Sequence, residues 1–156
     1  MKLNKEILLN VKNLCVSTTE KQQHKNLIDE ISFEIKKNEI VGLIGESGSG
    51  KSLTSLSILG LLEKNKFNIS GEIIFDKKNL LNLDNNAMME IRGSEISMIF
   101  QEPMSALNPT MKIGKQLFEV FKAHENLSFE HTTERIKKLI QKVKLDNVDN
   151  LLDKYP

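Results

Sequence analysis

The residues best suited to chemistry form one glycine-rich stretch. It fits the pattern G-x-x-x-x-G-K-[ST] and consists of Gly45, Glu46, Ser47, Gly48, Ser49, Gly50, Lys51 and Ser52. Glycines permit backbone conformations and close approaches that a Cβ would block, so successive amides can point inward as an anion nest. A lysine at this position can reach the terminal phosphates of a nucleoside triphosphate, and a serine hydroxyl can ligate Mg²⁺. The pattern predicts a phosphate-binding loop.

The segments on either side of this loop are those that such a loop requires. Residues 39–45, EIVGLIG, form a nearly continuous apolar run, which predicts a strand buried on both faces. Residues 50–62 carry leucines near helical spacing, which predicts a buried helix. A helix that begins at the loop turns its positive N-terminal end toward a bound anion. This context favours a nucleotide site over a glycine-rich turn that matches by chance.

Gln101 is a second candidate functional residue. It directly follows residues 95–100, EISMIF, which predict another mainly apolar strand. A polar amide at the carboxyl end of a parallel strand lies where open α/β sheets bind their ligands. From the residues alone, Gln101 could equally be a solvated loop residue. The loop motif occurs in kinases, GTPases, helicases and transporter motors alike, so it does not identify the class of protein. Other parts of the chain are needed for that.

The remaining elements divide the chain by character. Strands are predicted at residues 6–16, 31–35 and 71–76, with the second of them antiparallel, and a short helix is predicted at 85–91. From residue 112 onward the apolar spacing is helical. Ser128 is the predicted N-cap of a second helix there. The predicted apolar faces of these two helices consist of Ile113, Leu117, Val120 and Phe121, and of Ile136, Leu139, Ile140 and Val143.

Composition bounds the class of protein. With 156 residues, 39% hydrophobic and 28% charged, the chain has the composition of one ordinary globular domain. A net charge of +1 gives no basic bias toward nucleic acid. The single cysteine, Cys15, excludes an internal disulfide and is predicted to be a small core residue. Because no apolar run reaches 18 residues, any role at a membrane must come through a partner.

The stretches around both candidate sites closely resemble the ATP-binding subunits of ABC transporters. The stretch GLIGESGSGKS and the later stretch ISMIFQEPMSALNP are most similar to ATPases of oligopeptide, dipeptide and nickel importers. The resemblance extends from EILLNVKNL to the final Tyr-Pro. It implies an α/β P-loop NTPase fold. An antiparallel β-subdomain and the first part of the core are expected over residues 1–104, and a helical subdomain over 105–156.

The resemblance also implies roles and partners. Gly45 to Ser52 would hold ATP, and Ser52 together with Gln101 would hold Mg²⁺. Gln101 would also approach the attacking water, so Gln101 and Lys51 are the expected catalytic residues. The expected partners are transmembrane permease subunits, a second ATP-binding subunit and, indirectly, an extracytoplasmic solute-binding protein. The expected location is the cytoplasmic face of the cell membrane, through the permease subunits, or the cytoplasm if the chain is unassembled. Intact family members are ATPases that drive transport, here import of peptides or related small solutes.

The sequence departs from the family pattern in two respects. Residues 16–26 contain no aromatic side chain to stack on adenine, and Thr18 and His24 stand nearest that role. The sequence ends at Tyr155-Pro156, and it contains neither the Leu-Ser-Gly-Gly-Gln signature nor four apolar residues followed by Asp-Glu. Since phosphoryl transfer needs several parts at once, this chain is expected to hydrolyse ATP poorly. A nucleotide-binding remnant and a non-functional fragment with exposed apolar strands therefore stay open.

Other candidate residues favour ordinary structural roles. The histidines, His24, His124 and His131, have no carboxylate or cysteine cluster near them in sequence, so a metal site is not expected. Paired lysines such as Lys36-Lys37 are expected on solvated faces. Methionines such as Met88 and Met98 are expected to fill the core or an interface rather than to bind a cofactor.

Overall fold

The structure is a computed structural model that describes residues 6–19, 25–102, 106–125, 127–145 and 147–156. The chain forms two compact units, Met1–Ile96 and Ser97–Pro156. The predicted division at residues 104 and 105 falls on residues outside the described ranges, as does His24. Each unit is therefore described by itself, and the division of the chain at residue 104 stays a prediction.

The first unit is built on an antiparallel sheet. Its elements in chain order are β1 (Ile7–Thr18), β2 (Asn26–Lys36), α1 (Lys51–Ile58), β3 (Phe67–Phe75), β4 (Lys78–Asn79), a 3-10 helix (Leu80–Asn82) and α2 (Asn85–Ile91). The strand order is β2-β1-β3-β4, and every pairing is antiparallel. The predicted strands at 6–16 and 31–35 and the helix at 85–91 are thus confirmed, and the strand predicted at 71–76 begins earlier, at Phe67.

The core of this unit lies along the central strand pair, β1 and β3. Val11, Leu14 and Val16 of β1 are completely buried, as is Ile73 of β3. Val11 pairs with Phe33 on one side and with Ile73 on the other. The helix α1 packs its leucines against this cluster, which fixes the helix on the sheet. Cys15 is only partly buried, and its sulfur accepts a hydrogen bond from the Glu30 amide at 3.3 Å.

The two apolar runs predicted as strands, residues 39–45 and 95–100, are not strands in this structure. Residues 39–45 pair with no strand among the described residues, and Ile40 and Ile44 are 100% and 96% exposed. In residues 95–100, pairing is limited to one isolated bridge between Arg92 and Ile96, and Ile99 is 92% exposed. A strand buried on both faces needs neighbours on both edges. Among the described residues, 39–45 have no pairing partner and 95–100 have only the bridge at Ile96, so both strand predictions are wrong for this structure.

The helix after the loop is shorter than predicted. It spans residues 51–58 rather than 50–62 because the chain turns away after Leu59. Gly60 has a left-handed φ of +60°, and the Leu61 amide reaches back to the carbonyl of Leu56 at 2.9 Å. These are the features of a glycine-terminated helix end.

The second unit is helical. It contains α3 (Ile113–His124), α4 (Phe129–Lys142) and α5 (Val148–Asp153). Ser128 caps α4 as predicted, since its side chain accepts a hydrogen bond from the His131 amide. Gly114 lets α3 approach α5 closely, because a Cβ there would lie 2.9 Å from the carbonyl oxygen of Leu152.

Three of the predicted apolar face positions in this unit are exposed. Val120 is 59% exposed, Leu139 is 49% exposed and Val143 is 66% exposed. Ile136 and Ile140 of α4 are buried, together with Thr132. The buried face of α4 is therefore narrower than its apolar stripe.

Candidate phosphate-binding site

The glycine-rich loop connects residues 39–44 to the first turn of α1. Two of its glycines have left-handed backbone conformations, with φ of +81° at Gly48 and +94° at Gly50. Residues with a Cβ rarely adopt such angles, so glycine is required at both positions. Gly50 is also the N-cap residue of α1. The loop therefore ends in a sharp backbone reversal directly at the start of the helix.

Close packing of the loop on itself accounts for a third glycine. A Cβ on Gly45 would lie 2.6 Å from the hydroxyl oxygen of Ser49, well inside van der Waals contact. The amide of Ser49 in turn donates to the carbonyl of Glu46 at 3.2 Å. These contacts curl residues 45–49 into a compact turn whose backbone is exposed.

The ammonium group of Lys51 lies over this turn. Its Nζ donates to the carbonyl oxygens of Gly45 and Glu46 at 2.8 and 2.6 Å, and to the hydroxyl of Ser49 at 3.3 Å. Three loop oxygens thus hold one positive charge at the mouth of the turn. A cation in this place attracts an anion that approaches the loop.

The first turn of α1 adds backbone donors to this charge. Its N-terminus has no side-chain cap and no acidic residue, whereas Asp84 caps α2 and Ser128 caps α4. No described residue accepts a hydrogen bond from the amides of Lys51, Ser52 or Leu53. Uncapped amides, the helix dipole and a nearby ammonium together make a site suited to a phosphate group. The exposed hydroxyl of Ser52 lies in the same turn.

The loop also contacts the sheet. A Cβ on Gly50 would lie 3.1 Å from Cγ1 of Ile28 and 3.3 Å from the carbonyl oxygen of Leu27. The start of β2 therefore packs directly against the end of the loop. Thr18 ends the neighbouring strand β1. Residues 19–25, which separate the two strands in sequence, include no aromatic side chain.

Gln101 belongs to the second unit and is exposed on it. Further along the same unit, Gln116 of α3 holds Asn108 and Met111 through its side-chain amide. The Gln116 side-chain oxygen accepts from the Asn108 amide at 2.9 Å, and its nitrogen donates to the carbonyls of Asn108 at 2.9 Å and Met111 at 2.8 Å. The role of Gln101 toward Mg²⁺ stays a prediction.

Two residues with structural roles cannot be identified from the sequence. Gln116 is one, and Arg92, which contacts the end of α1, is the other. Neither belongs to a motif or an apolar pattern. Their contacts join residues that are separated in the chain, and no periodicity indicates such contacts.

Neither a metal cluster nor a membrane span is found in the part of the chain that the structure describes. Within those ranges, no three side chains of His, Cys, Asp or Glu lie together as a metal site. His131 contacts the Ser128 hydroxyl through Nδ1 at 2.9 Å, within the cap of α4. Among the helices described, none combines the length and the apolar character that crossing a bilayer requires.

Comparison with solved structures defines the class of fold. A dimeric bacterial ABC transporter cassette matches 96% of this chain and 62% of its own, with a TM-score of 0.77 and 22% identity. A post-hydrolysis state of an ATP-binding cassette, bound to ADP and phosphate, matches with a TM-score of 0.76 and 20% identity. The chain has the fold of the N-terminal part of an ATP-binding cassette, a P-loop NTPase.

Sequence comparison gives the family. The ABC transporter family profile matches residues 28–156, so the chain belongs to that family. The oligopeptide transport ATP-binding protein AppD of Bacillus subtilis is 41% identical over 150 residues, which are 96% of this chain and 46% of AppD. The dipeptide transport ATP-binding protein DppD of Lactococcus lactis is 40% identical over 152 residues, which are 97% and 44% of the two chains. The chain thus spans less than half the length of these curated relatives.

Proposed function

We propose that this chain is the nucleotide-binding part of an ATP-binding subunit of an ABC transporter. The complete subunit would couple binding and hydrolysis of MgATP to import of peptides or related small solutes. The names of AppD and DppD, which describe oligopeptide and dipeptide transport, support this choice of solute. Membership of the ABC transporter family supports the use of ATP.

The observation that carries the proposal is the arrangement of donors around the loop. The N-terminus of α1 is uncapped, and the Lys51 ammonium lies over the same turn. A Cβ at Gly45 would meet the side chain of Ser49, which lies against the start of the loop. ATP fits this donor set, because its triphosphate offers several anionic oxygens to amides and to one ammonium.

Each loop residue has a proposed role in binding. The loop backbone from Gly45 to Gly50 would surround the phosphates, and Lys51 would neutralise charge on the terminal two. Ser52 would ligate Mg²⁺ through its hydroxyl, with Gln101 as a second ligand. When bound, Mg²⁺ would supply charge neutralisation on the phosphate oxygens. These residues bind and orient the nucleotide, and in this proposal Lys51 and Gln101 are the catalytic residues.

Binding with little hydrolysis is the second candidate function, for the 156 residues as they stand. The sequence lacks the family's Leu-Ser-Gly-Gly-Gln stretch and its apolar run ending in Asp-Glu. An ATPase needs acidic groups that hold the metal and orient water in addition to the phosphate loop. The isolated chain is therefore proposed to bind nucleotide and to turn it over slowly.

Partners and location follow from the same proposal. Transmembrane permease subunits, a second ATP-binding subunit and, indirectly, a solute-binding protein would complete the transporter. The subunit would lie on the cytoplasmic face of the membrane, attached through the permease. One of the matched cassettes is dimeric, which supports the choice of a second ATP-binding subunit as a partner. Nucleic acid is not a proposed partner, since the net charge is +1.

Calorimetric titration with MgATP tests the proposal. The wild-type chain should bind, and Lys51→Ala should bind at least about tenfold more weakly, which is ~1.4 kcal/mol. Ser52→Ala should lose affinity for MgATP but not for ATP in the presence of a chelator. Lys64→Ala, which removes an exposed lysine beyond the helix, is the matched control and should bind normally. Equal affinity of the wild type and Lys51→Ala would contradict the proposal.

A further inference from the structure

Arg92 joins the end of α2 to the end of α1. It is the C-cap residue of α2, and its side chain is partly buried. Its Nε donates to the carbonyl oxygen of Leu59 at 2.7 Å, and its Nη2 donates to the carbonyl oxygen of Gly60 at 2.7 Å. Both acceptors belong to the chain reversal that ends α1.

These two carbonyls lie where a helix leaves its acceptors unpaired. The amides of Leu59, Gly60 and Leu61 close the last turn by donating to residues 55, 57 and 56. The carbonyls of Leu59 and Gly60 lie beyond the last of these bonds. Arg92 satisfies both with one planar group, and it places a positive charge at the negative end of the helix dipole.

The contact is close enough that a side chain at position 60 would displace the guanidinium of Arg92. A Cβ on Gly60 would lie 3.1 Å from Nη2 of Arg92 and 3.5 Å from Cε of Met88. Glycine at position 60 therefore has two roles. It adopts the left-handed φ of +60° that the turn needs, and it leaves space for the guanidinium of Arg92.

The opposite end of the same helix is the candidate phosphate site. The helix has eight residues, so its two ends are only about 12 Å apart at 1.5 Å per residue. Such a short helix moves as one body. Its inner face is already held at Thr54 and Ser57, both of which are buried. A contact that fixes its C-terminal end therefore also fixes the direction of its N-terminal amides.

We propose that Arg92 is a positioning residue for nucleotide binding, a role that rests on the proposed function above. Arg92 holds the C-terminal end of α1 so that the amides of Lys51 and Ser52 point steadily at the phosphates. The fork of a guanidinium reaches two carbonyls at once, whereas a lysine ammonium makes a point contact. Arg92 itself does not touch the nucleotide.

The test measures MgATP affinity together with hydrogen exchange of the α1 amides. Arg92→Ala should bind MgATP about tenfold more weakly than the wild type, equivalent to ~1.4 kcal/mol. The MgATP affinity of Arg92→Lys should lie between those of the wild type and Arg92→Ala, because lysine keeps the positive charge but cannot donate to two carbonyls as a planar fork. Amide exchange in residues 55–58 should quicken in Arg92→Ala, while β1 and β3 keep their protection.

Chemical rescue distinguishes positioning from a general loss of structure. Millimolar methylguanidinium should restore MgATP affinity to Arg92→Ala, but not to Lys51→Ala. Arg135→Ala removes a guanidinium from the second unit, where it pairs with Glu125, and should leave affinity unchanged. Wild-type affinity in Arg92→Ala, or failure of methylguanidinium to restore it, would overturn the proposal. Absence of binding by the wild type would overturn the proposed function, and this proposal with it.

Discussion

The antiparallel sheet and residues 39–45 have similar apolar content and opposite burial. In β1, Val11, Leu14 and Val16 are completely buried. In the later run, Ile40 and Ile44 are almost completely exposed, at 100% and 96%. The residues of both stretches predict strands. Hydrophobicity therefore identifies residues that favour burial, but it does not specify what covers them.

The difference lies in where each strand finds its neighbours. β1 pairs with β2 across a short connection and with β3 along its other edge, so both of its edges are satisfied within the first unit. A run that is apolar on both faces is typical of a parallel sheet, whose strands come from distant parts of a chain. None of the described residues pairs with residues 40–44. The two stretches therefore differ in whether the described residues contain a pairing partner, and not in their apolar content.

A matched pair of truncations measures this difference most directly. Ile73→Ala removes a completely buried side chain from β3 and should lower the free energy of unfolding by about 2–5 kcal/mol. Ile40→Ala removes a fully exposed side chain and should change it by no more than about 0.5 kcal/mol. Urea unfolding monitored by circular dichroism compares the two. Similar losses in both variants would mean that residues 39–45 are packed in solution.

The sequence predicts those elements that a local pattern marks and whose pairing partners are among the described residues. The antiparallel strands, the helix at 85–91 and the Ser128 cap each follow from a local pattern, and the structure contains all of them. The strands at 39–45 and 95–100 were predicted from equally clear apolar runs, but strand pairing depends on residues elsewhere. The helix α5 was not predicted, since it is a single short element of six residues without a marked pattern.

The candidate site, too, can be predicted only in part from the sequence. The glycines and Lys51 follow from spacing, because a phosphate loop is one continuous stretch. Gln101 was proposed from its place after an apolar run and from the family resemblance. Arg92 and Gln116 could not be predicted, since each acts through hydrogen bonds to backbone carbonyls, which any residue provides. Nothing in the sequence marks those carbonyls as acceptors.

Substitutions at two glycines test how closely the backbone is packed in the sheet and in residues 39–45. Gly71 of β3 has a φ of +100°, and a Cβ there would lie 2.6 Å from the carbonyl oxygen of Lys12 in β1. Gly71→Ala should therefore lower the free energy of unfolding by about 1–3 kcal/mol. At Gly42, in the apolar run, a Cβ would meet nothing within 4 Å. Gly42→Ala should leave the melting temperature nearly unchanged. A large decrease in the melting temperature would show that residues 39–45 have close neighbours in solution.

The ion pair between Glu6 and Lys37, just beyond the end of β2, is expected to contribute only slightly to stability. Lys37 Nζ lies 2.8 Å from a carboxylate oxygen of Glu6, next to a backbone bond between the same residues. The hydrogen bond from Lys37 and its charge hold the pKa of Glu6 below its ordinary value of 4.5. The same contact raises the pKa of Lys37 above 10.5.

The sign of each shift sets the pH range in which this pair stabilises the fold. The Glu6 contribution is present above pH 4.5 and is lost as the pH falls through its lowered pKa. The Lys37 contribution is present below pH 10.5 and is lost as the pH rises through its raised pKa. Because both side chains are exposed, salt should screen the effect. Glu6→Gln should lower the melting temperature slightly at neutral pH and low salt, and it should no longer do so in acid or at high salt. An equal loss under all of these conditions would show that Glu6 stabilises the sheet by packing rather than by charge.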